Sequence, residues 1–356
     1  MNARMALLLV DTLARIRPLP AERLAAAWDR LDNLTKPRRS LGYLEEIAAR
    51  CVAIAGGGKP SVARKRVCVF VGDHHVTEEG VSAYPSAVTG LMVKNFIAGG
   101  AAINVLARRA GAEVEVVDVG MAEDPGPLPG LIRRNVKRGA GNIARGPAMT
   151  LDEVRDAIGA GIECAAFAAD DGVRMLATGE MGIGNTTPAA ALLAAYLKIP
   201  VAEAVGPGTG LDAKGVAHKT AVIERALAEN RARCTGPLET LAALGGLEIA
   251  AIAGLCLGGA ARSIPVVVDG FISGAGALAA LRLCPAVKDY LFFAHQSAEP
   301  GHAKFFEQEK LRPLVNLGLR LGEGTGAAIA MQILEDAVAI HNEMVTFAEA
   351  GIAPGA

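Results

Sequence analysis

Val173-Arg174-Met175-Leu176-Ala177-Thr178 runs straight into Gly179-Glu180-Met181-Gly182-Ile183-Gly184-Asn185-Thr186-Thr187. The first six residues, largely apolar, read as a buried strand, and the next nine as a turn that opens a helix. A glycine-rich turn in that position aims backbone N–H groups and the positive end of a helix dipole at whatever anion sits there. The pattern fits a phosphate or nucleotide site, with a structural tight turn as the alternative. Glu180 separates it from a generic anion nest, because a carboxylate beside a phosphate is repelled unless the chemistry needs it.

Working outward, other β-rich apolar runs lie at residues 67–72, 114–119, 201–205 (weaker), 265–268 and 290–294. Stretches with helical periodicity, such as 88–110 and 151–169, separate most of them. Continuous rather than alternating apolar strands, spaced by helices, predict an α/β fold: a doubly wound, mainly parallel sheet of Rossmann-like type. The ends differ, with helical patterns at 5–16, 21–31, 41–54 and 327–350 and no strand. This predicts a small helical domain from residues 1–58 and 327–356, joined near the linker 56–60 to a large α/β domain over 59–326.

Composition supports the same class. Among 356 residues, 51% are hydrophobic, 4% aromatic and 42 are glycine, the small-residue profile of helices on a parallel sheet rather than a β-sandwich. A formal charge of −1 argues against nucleic acid or an anionic membrane as partner, since both require a basic surface. Any phosphate binding must then be local. Six cysteines without a C-x-x-C pair suggest neither zinc nor disulfides, and a reduced, cytoplasmic protein is expected. Asp11 closely follows the short apolar run 6–10, which is not the order of a secretory leader. The apolar stretch 241–261 carries Glu248 and five glycines and reads as a buried helix rather than a membrane span.

In open α/β sheets, ligands bind beyond the carboxyl ends of the strands, and the chemistry-bearing residues gather there. Gly72-Asp73-His74-His75 follows the first run, Gly206-Pro207-Gly208-Thr209-Gly210 the weak fourth, Asp269-Gly270-Phe271-Ile272 the fifth, and Gln296-Ser297-Ala298-Glu299 the last. Glu180 and Glu323 are both glycine-flanked and both candidate general bases, since a carboxylate in a partly dry cleft gains proton affinity. Glu323 also fits a simple helix N-terminal charge. Lys219 could turn its ammonium toward a phosphate or a carboxylate, with a solvated surface lysine as the alternative. Asp73-His74-His75 has metal-ligating types, but adjacent side chains diverge and no ligand spacing supports a metal. A dehydrogenase would need G-x-G-x-x-G after the first strand, an NTPase a Walker A loop and a serine hydrolase G-x-S-x-G; none is present in the required place.

The motifs taken together resemble one family, the nicotinate-nucleotide:dimethylbenzimidazole phosphoribosyltransferases of cobalamin lower-ligand activation. Those carrying the resemblance are Leu31-Asp32-Asn33-Leu34-Thr35-Lys36-Pro37 with Ser40-Leu41-Gly42, Gly80-Val81-Ser82-Ala83-Tyr84-Pro85 and Gly99-Gly100-Ala101-Ala102-Ile103-Asn104. The stretch 179–187, Gly208-Thr209-Gly210, Asp269-Gly270-Phe271-Ile272, Glu299-Pro300-Gly301-His302 and Leu321-Gly322-Glu323-Gly324-Thr325-Gly326 complete the series. The resemblance implies displacement of nicotinate from nicotinate mononucleotide by a benzimidazole-type base, with no metal or other cofactor, in a homodimer. It implies Glu323 as catalytic base with Glu180 and Lys219 beside it. Phosphate and ribose contacts are expected from Gly182, Ile183, Gly184, Asn185, Thr186, Gly208, Thr209, Asp269, Gly270 and Ser297. Contacts to the base are expected from Ser82, Tyr84, Pro85, Ser86, Met181 and Leu321. His75, Arg38-Arg39, Ser86 and Pro207 depart from the family pattern; Ser86 replaces a glutamine expected near the bound base and leaves the choice of base open. A nucleotide-binding regulator on the same fold is the alternative.

Overall fold

The computed structural model describes residues 3–208 and 210–353. Helices α1 (Ala3–Arg15), α2 (Ala21–Asp32) and α3 (Tyr43–Ile54) precede strand β1 (Lys65–Gly72). A 3-10 turn (His75–Glu79), α4 (Val88–Ile97) and α5 (Ala102–Ala110) lead to β2 (Ala112–Gly120) and β3 (Leu131–Arg133). Then come α6 (Leu151–Asp170), β4 (Met175–Met181), α7 (Thr186–Leu197), α8 (Val201–Ala204), α9 (Ala213–Asn230), α10 (Pro237–Leu244) and α11 (Leu247–Ala261). β5 (Val266–Val268), α12 (Phe271–Leu283), β6 (Leu291–Phe293), α13 (Pro300–Gln308) and α14 (Thr325–Glu343) close the chain.

The six strands form one sheet in the order β3-β2-β1-β4-β5-β6, every pairing parallel. β1 and most of β4 are buried along their length, because helices cover both faces. α11 and α12 lie on one face, with α6 laid against α11; α4, α5 and α14 lie on the other. This is the doubly wound α/β arrangement that continuous apolar strands require. The strand order reverses between β1 and β4, which creates a crevice at their carboxyl ends. At the chain ends, α2 packs on α3 and α3 on α14, while α1 lies against α6 and α11.

Local chemistry explains several boundaries. Thr150 caps α6: its Oγ1 accepts from the Glu153 N–H at 3.2 Å, and Glu153 Oε2 accepts from the Thr150 N–H at 2.8 Å, a reciprocal capping box. Asp212 caps α9 by accepting the Gly215 N–H at 2.8 Å. The helical stretch expected over 88–110 is two helices, because Gly99 takes φ +78° and breaks it. Likewise the apolar stretch 241–261 spans part of α10 and all of α11, parted at Gly245-Gly246, and α11 is buried from Leu247 to Ala260.

Three further expectations change. The run 201–205 is no strand: Pro200 leads into the short helix α8, and β4 already has β1 and β5 on its two edges. β3, a three-residue edge strand, was not anticipated, since three residues are too few to show a pattern. Finally, Gly179, Glu180 and Met181 belong to β4, paired with Val69, Phe70 and Val71, so the turn is confined to residues 182–185.

Candidate active site

A cleft of about 450 Å³ opens at the switch point between β1 and β4, within the size range of small-molecule sites. β4 supplies Glu180 and Met181, the turn after it Gly182, Ile183 and Asn185, and the loop before α14 supplies Leu321, Gly322 and Glu323. Thr186, Gly208, Gly270, Ser297 and Tyr84 also line it.

Glu180 and Glu323 are 5% exposed each; Glu180 is held by its own turn and by the Glu323 loop, Glu323 by the start of α5. Glu180 Oε2 accepts from Asn185 Nδ2 at 2.5 Å, and the Glu323 backbone N–H also points to the Glu180 carboxylate. Burial first, then the nearby Asp269 charge, pushes the Glu180 carboxyl up to about 8. Glu323 has φ +63°, a left-handed conformation unusual for a non-glycine residue. Its Oε2 accepts the Ile103 N–H at 3.3 Å at the start of α5. Burial raises its pKa above the ordinary carboxylate range, the Ile103 N–H opposing.

The flanking glycines are required by the chain itself. A Cβ at Gly179 would lie 2.5 Å from the Glu323 carbonyl oxygen, and one at Gly322 would overlap Glu180 Oε1. A Cβ at Gly182 would run into the Gly72 carbonyl. Close backbone approach is what glycine permits, and here it lets three strand-end loops meet.

Lys219, on α9, is 1% exposed and lies behind the cleft wall, where its Nζ donates to Thr186 Oγ1 at 2.6 Å. Burial pulls its pKa down to about 8, with Glu299 opposing. Gly184, at φ +89°, is tucked against the Thr77 methyl rather than facing the cleft. Asp269 does not line the cleft either. Its carboxylate accepts the Gly324 N–H at 3.1 Å and the Ala327 N–H at 2.9 Å, so it caps α14 and fixes the loop that carries Glu323. Ser82 Oγ accepts the Tyr84 N–H at 3.2 Å, within its own loop. Pro85 is exposed at the entry to α4, and Ser86 Oγ pairs with Thr77 Oγ1 at 3.0 Å. These three do not line the cleft; Val88 and Met92, one turn apart on α4, do. Ser86, shorter than the glutamine of the family pattern, contributes no atom to the cleft wall. Thr209 lies outside the described residues.

Asp73, His74 and His75 diverge as expected. Asp73 Oδ2 accepts the Ala122 N–H at 2.9 Å, His74 pairs with the buried Glu248 at 2.7 Å, and His75 faces Glu78 at 3.3 Å. Among the described residues no group of three His, Cys, Asp or Glu side chains is placed to hold a metal.

Sequence reasoning did not single out Val88, Met92, Phe271, Ile272, His295, Glu299, Arg320 and Gly322 as lining the cleft. The strand-end rule covered the segments of Phe271, Ile272 and Glu299, and Arg320 adjoins Leu321. Val88 and Met92 gave no signal beyond helical spacing. Chemically, the cleft combines an apolar wall (Tyr84, Val88, Met92, Met181, Ile272, Leu321) with buried carboxylates and a recessed lysine. Such a site can stack a flat aromatic ring, hold an anion near Thr186 and stabilise positive charge beside Glu323.

Comparison with known proteins identifies the family. A phosphoribosyltransferase family model matches residues 16–352. A nicotinate-nucleotide–dimethylbenzimidazole phosphoribosyltransferase of Geobacter metallireducens is 56% identical over 348 residues, covering 98% of this chain and 99% of its own. One from Chlorobium chlorochromatii is 55% identical over 340 residues, with 96% of both chains covered. The crystal structure of CobT from Thermus thermophilus superposes with a TM-score of 0.90 at 49% identity, covering 94% of this chain and all of that one.

Proposed function

The chain belongs to the nicotinate-nucleotide–dimethylbenzimidazole phosphoribosyltransferase family, and on that premise we propose that it moves the 5-phosphoribosyl group of nicotinate mononucleotide onto a lower-ligand base. The default base is 5,6-dimethylbenzimidazole, and the products are α-ribazole phosphate and nicotinate. The single observation that carries this reading is the meeting of two buried carboxylates, Glu180 and Glu323, beside an apolar wall at the sheet's switch point.

An azole nitrogen attacks C1′ as the bond from C1′ to the pyridinium nitrogen breaks. The configuration inverts from β to α. The leaving group is already a cationic pyridinium, so it departs as nicotinate with a neutral ring and needs no general acid. Positive charge develops on the ribose; the Glu323 carboxylate stabilises it electrostatically, while Glu180, which holds its proton up to about pH 8, faces it with the dipole of a neutral carboxyl. Glu323, with proton affinity raised by burial, takes the azole proton. Lys219 and Thr186, joined at 2.6 Å, together with Gly208 and Ser297, hold the phosphate end so that C1′ stays in line for attack. Tyr84, Met181 and Leu321, at the apolar wall, hold the base.

The same proposal has the chain act in the cytoplasm, with six unpaired cysteines, without nucleic-acid or membrane partners. It includes residues 1–58 and 327–356 as a small helical unit and assembly as a homodimer, checked by a light-scattering mass near twice 36.6 kDa. The test of the catalytic assignment is Glu323→Gln. Steady-state turnover should fall roughly 10²-fold or more while nicotinate mononucleotide still binds. Near-normal turnover would remove Glu323 from its role.

A further inference from the structure

A third carboxylate lies in the cleft without a part in the chemistry above. Glu299, at the N-terminal cap of α13, is 4% exposed. Its Oε1 accepts the Gly208 N–H at 2.9 Å. Its Oε2 has no hydrogen-bond partner among the described residues and lies so close to Gly206 that a Cβ there would overlap it. Gly208 in turn has φ +54°, and a Cβ on it would be 3.2 Å from Lys219 Nζ and 2.8 Å from Thr186 Oγ1. Glu299, the 206–208 segment, Lys219 and Thr186 thus form one buried cluster.

We infer that Glu299 is a positioning residue: it fixes the 206–208 segment at the phosphate end of the cleft and supplies the counter-charge to Lys219 behind that segment. This rests on the substrate reading above. An ammonium so deeply buried tends to lose its proton, because desolvation penalises the charged form. Among the charged groups described around α9, His218 turns to the Glu79 carbonyl, and Glu203 of α8 is engaged by Lys304. Tyr196 of α7 bonds the Pro237 carbonyl, and Glu239 of α10 stands near that tyrosine. Arg320 from the loop before α14 acts on Glu299. Glu299 is the carboxylate that shares Gly208 with Lys219 and Thr186, and its charge opposes loss of the Lys219 proton. A carboxylate near a phosphate site is thereby accounted for: it stabilises the cation that receives the phosphate.

Glu299→Gln separates this role from a purely structural one, since the amide keeps an acceptor for Gly208 and removes the charge. The dissociation constant of nicotinate mononucleotide is measured by calorimetry from about pH 6.5 to about pH 9.5, in wild type, Glu299→Gln and Lys219→Arg, a window that brackets the Lys219 titration, lowered by burial to about 8 from the ordinary lysine range. Wild type should weaken on the alkaline side, and Lys219→Arg should lose that limb because a guanidinium stays protonated. Glu299→Gln should shift the limb down by about one pH unit, read against the variant's own plateau on the acid side. A limb unmoved in Glu299→Gln overturns the inference. A wild type that binds equally at every pH overturns it too and leaves the substrate reading standing, whereas no binding at any pH removes the substrate reading itself.

Discussion

Glu180 and Glu323 each stand beside a glycine that clears space for the other: Gly179 for the Glu323 carbonyl, Gly322 for the Glu180 carboxylate. The pairing locks both acids into a dry pocket, and Glu180 carries the thermodynamic mark of it. Its carboxyl is raised from 4.5 to about 8 by burial and by Asp269. Between those two values the folded protein keeps a proton that the unfolded chain releases, so this group makes folding less favourable as pH rises. The effect is on the order of a few kcal/mol. Glu180→Gln removes the titration. The melting temperature of the variant relative to wild type should therefore rise steadily from about pH 5 to about pH 8, the window between the two pKa values. A difference that stays constant over that window would mean that Glu180 is ionised throughout. Both glutamates were legible in the sequence because glycines flank them. Why the glycines are there was not legible: the pattern suggested room for a ligand, while most of the room at Gly179, Gly182 and Gly322 is taken by the chain's own backbone and side chains. Asp269 was read as a ligand contact, and nothing in Asp269-Gly270 shows that its carboxylate caps a helix 55 residues away.

Helix α11 is where element-level packing is tightest. A Cβ at Gly254 would overlap the Ile158 carbonyl, one at Gly161 the Ala251 carbonyl, and one at Gly258 would lie 2.7 Å from Ala165 Cβ. α6 and α11 therefore meet backbone to backbone, and two of the five glycines that made 241–261 look unlike a membrane span, Gly254 and Gly258, are contact points with α6. Gly254→Ala should destabilise the fold by roughly 1–3 kcal/mol through overpacking, outweighing the gain of up to about 1 kcal/mol in helix propensity. Gly90 of α4 serves as control, because a Cβ there meets only Met121 Cε at 3.8 Å. Urea unfolding of the two variants checks this; equal stability of Gly254→Ala and wild type would mean that the helices separate without cost. Most strands and helices were readable because apolar periodicity is local. α8 was misread because its four residues suit either structure and tertiary neighbours decide, and β3 was missed because an edge strand of three residues carries no period.

At the scale of the whole molecule, the doubly wound α/β class followed from continuous apolar strands alternating with helices. The strand order β3-β2-β1-β4-β5-β6 did not, since periodicity says which segments are strands and not which are neighbours. That order puts the switch point between β1 and β4, and the cleft lies there. It also explains why residues more than two hundred positions apart, such as Ile103 and Glu323, touch at 3.3 Å. The strand-end rule found the carboxylates and hydroxyls of the site because they follow strands. The apolar wall of Val88 and Met92 escaped it because these residues sit on α4, whose inward face only the assembled fold defines. The central claim is that this cleft transfers a phosphoribosyl group rather than merely binding a nucleotide. Chromatography of the purified protein with nicotinate mononucleotide and 5,6-dimethylbenzimidazole tests it most directly. Nicotinate and α-ribazole phosphate should appear in equal amounts, with nicotinate release at background when the base is omitted. Nucleotide bound intact, with no nicotinate released in the presence of the base, would contradict the account.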